Sequence, residues 1–464
     1  MFTLATTAKR SAPVSGRIRA ALVGRFRARR DRDRQSGVAM LVTISALSLL
    51  IALIAQFSYG TTVDGAQAAN ARDELRAHYL ARSAMELSRM LIKIQLKFVE
   101  PIMAQAQSML ASMNEGQDLG ISLRVTDYAP MLLGFFGGNK SDVAMLGTMV
   151  GIDTSQAKGL AAVPGKMDAE ITNEDGKIDI NCGGGITPNR ARQLTVFRLL
   201  SALTMSPRYD LLFSTPDDKG MFMDRVDMAR ALIDWADADE QMFSIDANGA
   251  GAEDYRYDQR VDPYLAHNNY YDTIGETALV RGMNADFSEA FKPYLTIYAS
   301  DEKQECRLNL ASVKGDCTPL IVGLVRAALI PDPTKPPTDP SILDDNRIYP
   351  LASVLCERGA AVGFDSLKTV IGVLTNPAGS LSKDDPRFQM MQNLTGVTIT
   401  EAQLSQVAYV GPPRVYRVVT TGESGKVKKR ITAILDSQRG LDNPVTSDAA
   451  SEKAAGVIQY WREE

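Results

Sequence analysis

Val38–Phe57 is a run of twenty residues without a charge, and it follows directly on a polar, basic stretch that ends Arg34-Gln35-Ser36-Gly37. At about 1.5 Å of rise per residue, roughly 20 apolar residues span a hydrocarbon core of about 30 Å, so the pattern predicts a membrane-crossing helix. Nothing ends that helix early, because the chain from Tyr59 to Glu100 is rich in Ala, Arg, Leu and Glu and meets its first proline at Pro101. Leu75, Tyr79, Ala81, Met85, Met90, Ile94 and Phe98 recur at helical spacing, while Arg72, Asp73, Glu74, Arg76, Arg82, Glu86, Arg89 and Lys93 fill other faces. The expectation is one helix, residues 38–58 in lipid and 59–100 beyond it, packed on a soluble domain by one stripe. Gly60 and Gly65 would loosen it above the membrane, and Pro101 would stop it.

Further on, the period changes from helical to alternating. Lys166–Ile171 and Lys177–Asn181 read as strands around Asn173-Glu174-Asp175-Gly176, and Asp-Gly is a hairpin signal. Arg414–Thr421 and Lys426–Leu435 alternate in the same way around Gly422-Glu423-Ser424-Gly425, and Tyr294–Tyr298 and Arg307–Leu310 add short strands. Helical blocks lie between them at Asn189–Met205, Arg225–Asp237, Thr273–Gly282, Pro319–Leu329 and Ser366–Leu374. Pro331–Pro340, with five prolines, reads as an exposed linker or loop. Sheet, helical insert and sheet again predict an α+β domain interrupted by an α-helical one.

A weak duplication divides the insert. Ile180-Asn181, then Thr187-Pro188 and a helix, parallels Leu308-Asn309, then Thr318-Pro319 and a helix. Tyr271-Asp272-Thr273-Ile274 parallels Phe364-Asp365-Ser366-Leu367, and Thr273 with Glu276 has the spacing of a capping box. The predicted layout is 1–37 leader, 38–58 span, 59–100 remainder of the helix, 101–180 first strands, 181–293 and 294–400 two helical modules, 401–437 a β-hairpin and 438–464 a tail.

Charge orients this layout. Ten Lys and Arg against two Asp give residues 1–37 a net +8, and the whole chain at −4 leaves −12 beyond Gly37. Positive flanks stay on the cytoplasmic side, which puts the acidic bulk across the membrane and argues against a nucleic-acid binder. Cys182, Cys306, Cys317 and Cys356 would then sit where disulfides persist. The short loop between Cys306 and Cys317 makes them the expected bridge, leaving Cys182 for Cys356. Only His78 and His267 are present, one in a helical stretch and one in a polar loop, so no catalytic residue is nominated and hydrolase triads are disfavoured.

The densest polar cluster runs Asp234-Trp235-Ala236-Asp237-Ala238-Asp239-Glu240, through Asp246-Ala247-Asn248-Gly249, to Gly251-Ala252-Glu253-Asp254. Carboxylates this close repel unless a cation or solvent screens them. Oxygen-only donors suit calcium, which takes six to eight oxygens in flexible geometry, although the spacing is not that of an EF-hand. The candidate ligands are Asp237, Asp239, Glu253 and Asp254, then Asp234, Asp246 and Asn248. A solvated acidic loop is the alternative.

Two resemblances follow. A basic leader ending in Gly37 with the apolar run starting at Val38 resembles the type IV pilins and pseudopilins, whose prepilin peptidase cuts after such a Gly; a plain uncut anchor is the alternative. Asp234-Trp235-x-Asp237-x-Asp239, Gly251-Ala252-Glu253-Asp254, Asp262-Pro263-Tyr264-x-x-x-Asn268, Asp272 and Leu279-Val280-Arg281-Gly282-Met283 are similar in order and spacing to the minor pseudopilin K family of type II secretion. Val42 stands at the fifth position after Gly37, where most pilins carry Glu, a departure shared with the K type that fits a subunit with none ahead of it. The resemblance implies a pilin-like long helix on a small antiparallel sheet, with a large inserted helical domain of SAM-like (helix-hairpin-helix-like) modules holding structural calcium. It implies a non-enzymatic place at the pseudopilus tip with the I- and J-type minor pseudopilins, which Tyr79, Met85, Met90 and Ile94 would meet. The prepilin peptidase and the inner-membrane assembly platform are further implied partners. A minor pilin of a type IV pilus and a membrane-tethered, metal-dependent periplasmic hydrolase are the rival functions.

Overall fold

The structure is a computed structural model that describes residues 14–113, 124–136, 165–216, 222–246, 251–253, 257, 263–298, 305–361, 363–364, 366–437 and 457–464. It divides into two compact units, residues 1–73 and 74–464.

The described part of the first unit is helical, and belongs to α1 (Val14–Ile94). Val38–Phe57 is exposed throughout, and among the described residues Gly37–Ala106 is the helical span long and apolar enough to cross a membrane. Its polar residues do not interrupt it: the hydroxyls of Thr43, Ser45 and Ser48 donate to the carbonyls of Met40, Val42 and Ser45, so none needs water. Gly37, Gly60 and Gly65 all lie within the helix.

In the second unit α1 continues to Ile94, and Pro101 does not stop the helix. A π-helical turn, Gln95–Val99, leads into α2 (Glu100–Met113), which places Pro101 in a first turn. The proline ring would clash with the carbonyl four residues back, and the widened π turn accommodates it.

The helix packs on a four-stranded antiparallel sheet. Its strands are β1 (Lys166–Asn173), β6 (Val415–Ser424), β7 (Val427–Asp436) and β8 (Val457–Glu463), in the order β1-β6-β7-β8. Leu80, Ala81, Ala84, Met85, Leu91 and Ile92 of α1 meet Met167, Ala169, Ile171, Tyr416, Val418, Ile431, Ala433 and Leu435 in one core. β6 and β7 form the expected hairpin, turning at Gly425 (φ 59°), where a positive φ favours glycine. The 438–464 tail is corrected: 438–456 lie outside the described residues, but β8 adds a fourth strand to β7.

The Asp175-Gly176 turn is not a hairpin. β1 pairs with β6, Lys166 opposite Glu423, instead of with the strand that follows it. The side chains of the turn explain the exchange. Asp175 Oδ2 accepts from the backbone N–H groups of Arg414 (2.5 Å) and Val415 (3.1 Å), and Glu174 N–H donates to the Val415 carbonyl (2.9 Å), so the turn is stitched to the start of β6. Glu174 is itself buried among Lys177, Arg417 and the Thr296 hydroxyl.

The described residues between the turn and β6 build two modules on one plan. In the first, β2 (Ile178–Asp179) is followed by helices Arg190–Thr204 and Arg225–Asp234 and a short 3₁₀ segment, Ile274–Leu279, and closes in parallel on β3 (Leu295–Thr296). In the second, β4 (Leu308–Asn309) is followed by helices Thr318–Leu329, Asp345–Ala361 and Leu367–Thr375, and closes in parallel on β5 (Ala408–Tyr409). Thr273 with Glu276 forms the capping box, and Ser366 caps the matching helix. One apolar core runs through both modules, and the first helices cross closely: a Cβ on Gly323 would lie 2.9 Å from Leu203 Cα.

The disulfides join different partners from those expected. Cys182 bonds Cys306 and Cys317 bonds Cys356, each with 5.7 Å between Cα atoms. Cys306, at φ 65° just before β4, turns back to the residue that follows Asn181. Cys317 opens helix Thr318–Leu329 and is buried against helix Asp345–Ala361, so its neighbour in space is Cys356, not Cys306.

Candidate functional site

The described residues of the acidic segment gather in the first module. Asp224 caps helix Arg225–Asp234 by accepting from Val226 and Asp227 N–H, and the chain leaves that helix through the buried Trp235. Gly184 and Gly185 let it come close: a Cβ on Gly184 would lie 2.5 Å from the Ala236 carbonyl oxygen, and Gly185 (φ 83°) donates to that oxygen at 2.7 Å. Gly185 and Asp237 form a parallel bridge, while Gln241 and Ala252 form an antiparallel one that brings Glu253 back over the start of the loop. Trp235 is surrounded by Tyr257, Tyr264, His267 and Tyr271, with ring centroids 5.7 to 6.4 Å away.

The structure sorts the carboxylates that the sequence merely collected. Asp234 is fully engaged: Oδ1 accepts from Phe243 N–H (2.7 Å) and Oδ2 faces Arg281 Nη2 (3.2 Å). Asp237 is 2% exposed; its Oδ2 accepts from Gln193 Nε2, while Oδ1 is buried without a partner. Glu253 is 1% exposed; no N–H or hydroxyl donor reaches its carboxylate oxygens, and its carboxyl lies against that of Asp237. Asn268, at φ 52°, donates from Nδ2 to the Asp239 carbonyl (3.3 Å) and has its Oδ1 buried without a partner. Asp239 and Asp246 lie nearer solvent, with Asp239 Oδ1 accepting from Gln241 N–H at 2.8 Å. Asn248 and Asp254 lie outside the described residues.

Buried acceptors without donors are costly, and here they sit on acids that also repel one another. Burial pushes Asp234 up to about 7, against the downward pull of the Phe243 N–H and Arg281. Burial first, then the charges of neighbouring carboxylates, pushes both Asp237 and Glu253 well above the ordinary range. Bare, desolvated oxygens on Asp237, Glu253 and Asn268 are donors of the hard kind that calcium prefers. Among the described residues, no three His, Cys, Asp or Glu side chains are grouped so as to hold an ion by themselves, and the amide oxygen of Asn268 is outside that set.

Gln193, Arg281 and the glycines at 184 and 185 were not singled out as site residues. Gly183-Gly184-Gly185 is a visible signal of close backbone approach, whereas Gln193 reads as an ordinary helix residue. The partner-helix candidates divide. Tyr79 and Met90 are exposed at 58% and 42%, Ile94 is half-buried, and Met85 is fully buried against the sheet. Met85 is therefore a core residue. Leu75, Phe98, Ile102 and Met109 are further exposed apolar side chains along α1, the π turn and α2.

No curated protein matches the chain. The crystal structure of the GspK-GspI-GspJ complex from the enterotoxigenic Escherichia coli Type 2 Secretion System is a structural match at 15% identity and a TM-score of 0.38, covering 66% of this chain and 82% of the matched one. Residues 185–300, the segment that contains the acid pocket, match the family described as Type II secretion system (T2SS), protein K. Over that segment the chain is similar to the protein K family of type II secretion, the family that the order of its acidic motifs resembles.

Proposed function

We propose that this protein is a minor pseudopilin at the tip of the type II secretion pseudopilus, where it helps to start filament assembly and so serves export across the outer membrane. The observation that carries the reading is the protein K match over residues 185–300. The exposed apolar helix 38–58 supports a single span of the inner membrane. The +8 leader supports a cytoplasmic N-terminus and a periplasmic bulk. The prepilin peptidase cuts between Gly37 and Val38, leaving the span on the mature chain for the assembly platform to handle. The exposed stripe Leu75, Tyr79, Met90, Phe98 and Ile102 packs on the helices of the I- and J-type minor pseudopilins.

The pocket holds calcium in a structural role. Asp237 Oδ1, the Glu253 carboxylate and Asn268 Oδ1 are the donors that fit, because they are buried oxygens that no N–H or hydroxyl donor reaches. Asp239 and Asp246 are more peripheral donors. The ion supplies the positive charge that lets these acids stay ionised away from water.

The deciding experiment co-expresses the full chain with the I- and J-type subunits and the prepilin peptidase. A mature chain beginning at Val38 that co-purifies with both partners is the expected result. An intact Met1, or a chain that runs alone, would sink the assignment.

A further inference from the structure

Arg281 is buried, and its guanidinium divides between two elements of the acid pocket. Nη2 faces Asp234 Oδ2 and Nη1 donates to the Glu253 carbonyl, both at 3.2 Å. Its own backbone N–H donates to the hydroxyl of the buried Tyr257, also at 3.2 Å. Asp234 thereby has both oxygens taken by protein donors, since Oδ1 accepts from Phe243 N–H. Glu253 is held the opposite way. Its main chain is pinned on both sides, the carbonyl by Arg281 and the N–H on the Glu240 carbonyl at 3.4 Å, while its carboxyl meets no N–H donor and faces Asp237.

We propose that Arg281 is the positioning residue of the calcium pocket, with Asp234 as its anchor instead of a ligand. It bridges the end of helix Arg225–Asp234 to the main chain of Glu253 and so fixes the direction from which the Glu253 carboxylate enters. The proposal rests on the calcium reading given above. A guanidinium beside a cation site opposes the cation electrostatically; Asp234 balances its charge, and its geometry is what it gives to Glu253. A lysine keeps that charge, but a compact ammonium does not reproduce the planar fork that reaches both acceptors.

Calcium titrated into the detergent-solubilised full chain by calorimetry, with melting in chelator as the control, tests the idea. Arg281→Lys and Arg281→Met should each weaken calcium binding by about tenfold or more, as loss of an outer contact to a metal ligand does. If charge alone mattered, Arg281→Lys would bind as wild type and Arg281→Met more tightly, and either result overturns the proposal. A purely structural role would lower the melting temperature in chelator while leaving the Kd of the folded protein unchanged, which also overturns it. Tyr257→Phe removes only the hydroxyl that accepts from Arg281 N–H and covers the case in which the arginine variants do not fold. It should weaken binding a few fold, and an unchanged Kd counts against the proposal. A wild-type chain that takes up no calcium removes the calcium reading and the proposal together, whereas wild-type uptake with unaffected variants removes the proposal alone.

Discussion

The two helical modules share a frame and differ in how they treat buried charge. Each begins with a two-residue parallel pairing followed or ended by an asparagine that reads backbone groups. Asn181 Nδ2 donates to the Tyr271 and Ile297 carbonyls and its Oδ1 accepts from Tyr271 N–H. Asn309 Nδ2 donates to the Gly411 carbonyl and its Oδ1 accepts from Gly411 and Ala311 N–H. In the second module the main buried charge is Arg326, which faces the Ile342 and Leu343 carbonyls and Asp345 at 2.7 to 3.0 Å. In the first module Arg281 pairs with Asp234 in the same way, but two further buried acids, Asp237 and Glu253, keep oxygens that no N–H or O–H group reaches. Each frame closes on a buried arginine, and the first carries in addition two buried acids whose oxygens lack donors.

The largest expected effect tests the shared frame. Asn181→Ala and Asn309→Ala each remove three hydrogen bonds, leaving buried groups that cost about 1–3 kcal/mol apiece. Both should unfold at clearly lower denaturant than wild type and by similar amounts, and a silent variant at either position would break the equivalence. Next comes the difference between the frames. Calcium at a hundredfold above its Kd should stabilise the chain by about 2.7 kcal/mol over chelator, measured by melting. Glu253→Gln should remove that gain while melting in chelator no lower than wild type, because burial and its acidic neighbours already favour the uncharged form of Glu253 when no cation is bound.

A pH effect of smaller size comes from the junction beneath the modules. Burial pushes Asp175 and Asp179 up to about 7, so between roughly pH 4 and 7 the folded state binds more protons than the unfolded one. Their contribution to stability is therefore present at low pH and falls as pH rises through 7. Asp179→Asn should flatten the melting temperature against pH over that window, and an unchanged slope would exclude Asp179 as a cause. The smallest effect on stability belongs to the exposed helix stripe. Tyr79→Ala and Met90→Ala should shift stability by within about 0.5 kcal/mol, yet reduce recovery of the I- and J-type partners. Met85→Ala, in the core, should do the reverse by losing stability at about 2–5 kcal/mol.

Legibility in the sequence followed the range of the interaction. The long apolar helix, the helical blocks opening at Asn189 and Ser366, the Thr273–Glu276 capping box and the β6–β7 hairpin depend on residues a few positions apart, and the sequence shows them. It does not show partners far apart. Asp-Gly signals a tight turn but says nothing of Asp175 reaching Arg414, and four cysteines allow three pairings among which loop length chose wrongly. The acid cluster was visible as composition. Which acids are bare depends on Gln193, Phe243 and Arg281, whose donors arrive from other elements.

The pairing of β1 with β6 has a consequence for the order of events in time. Lys166 meets Glu423 only after both modules have been made, and closing so long a loop from a loose chain is entropically expensive and slow. Modules already folded shorten that search, because the Glu174–Asp175 clasp to Val415 then joins two ends held near each other. The sheet that seats the long helix should accordingly be the last part to set. Pulsed hydrogen exchange during refolding would register this as protection of the Leu199 and Leu324 amides before those of Ile171 and Val418, and the reverse order would refute it.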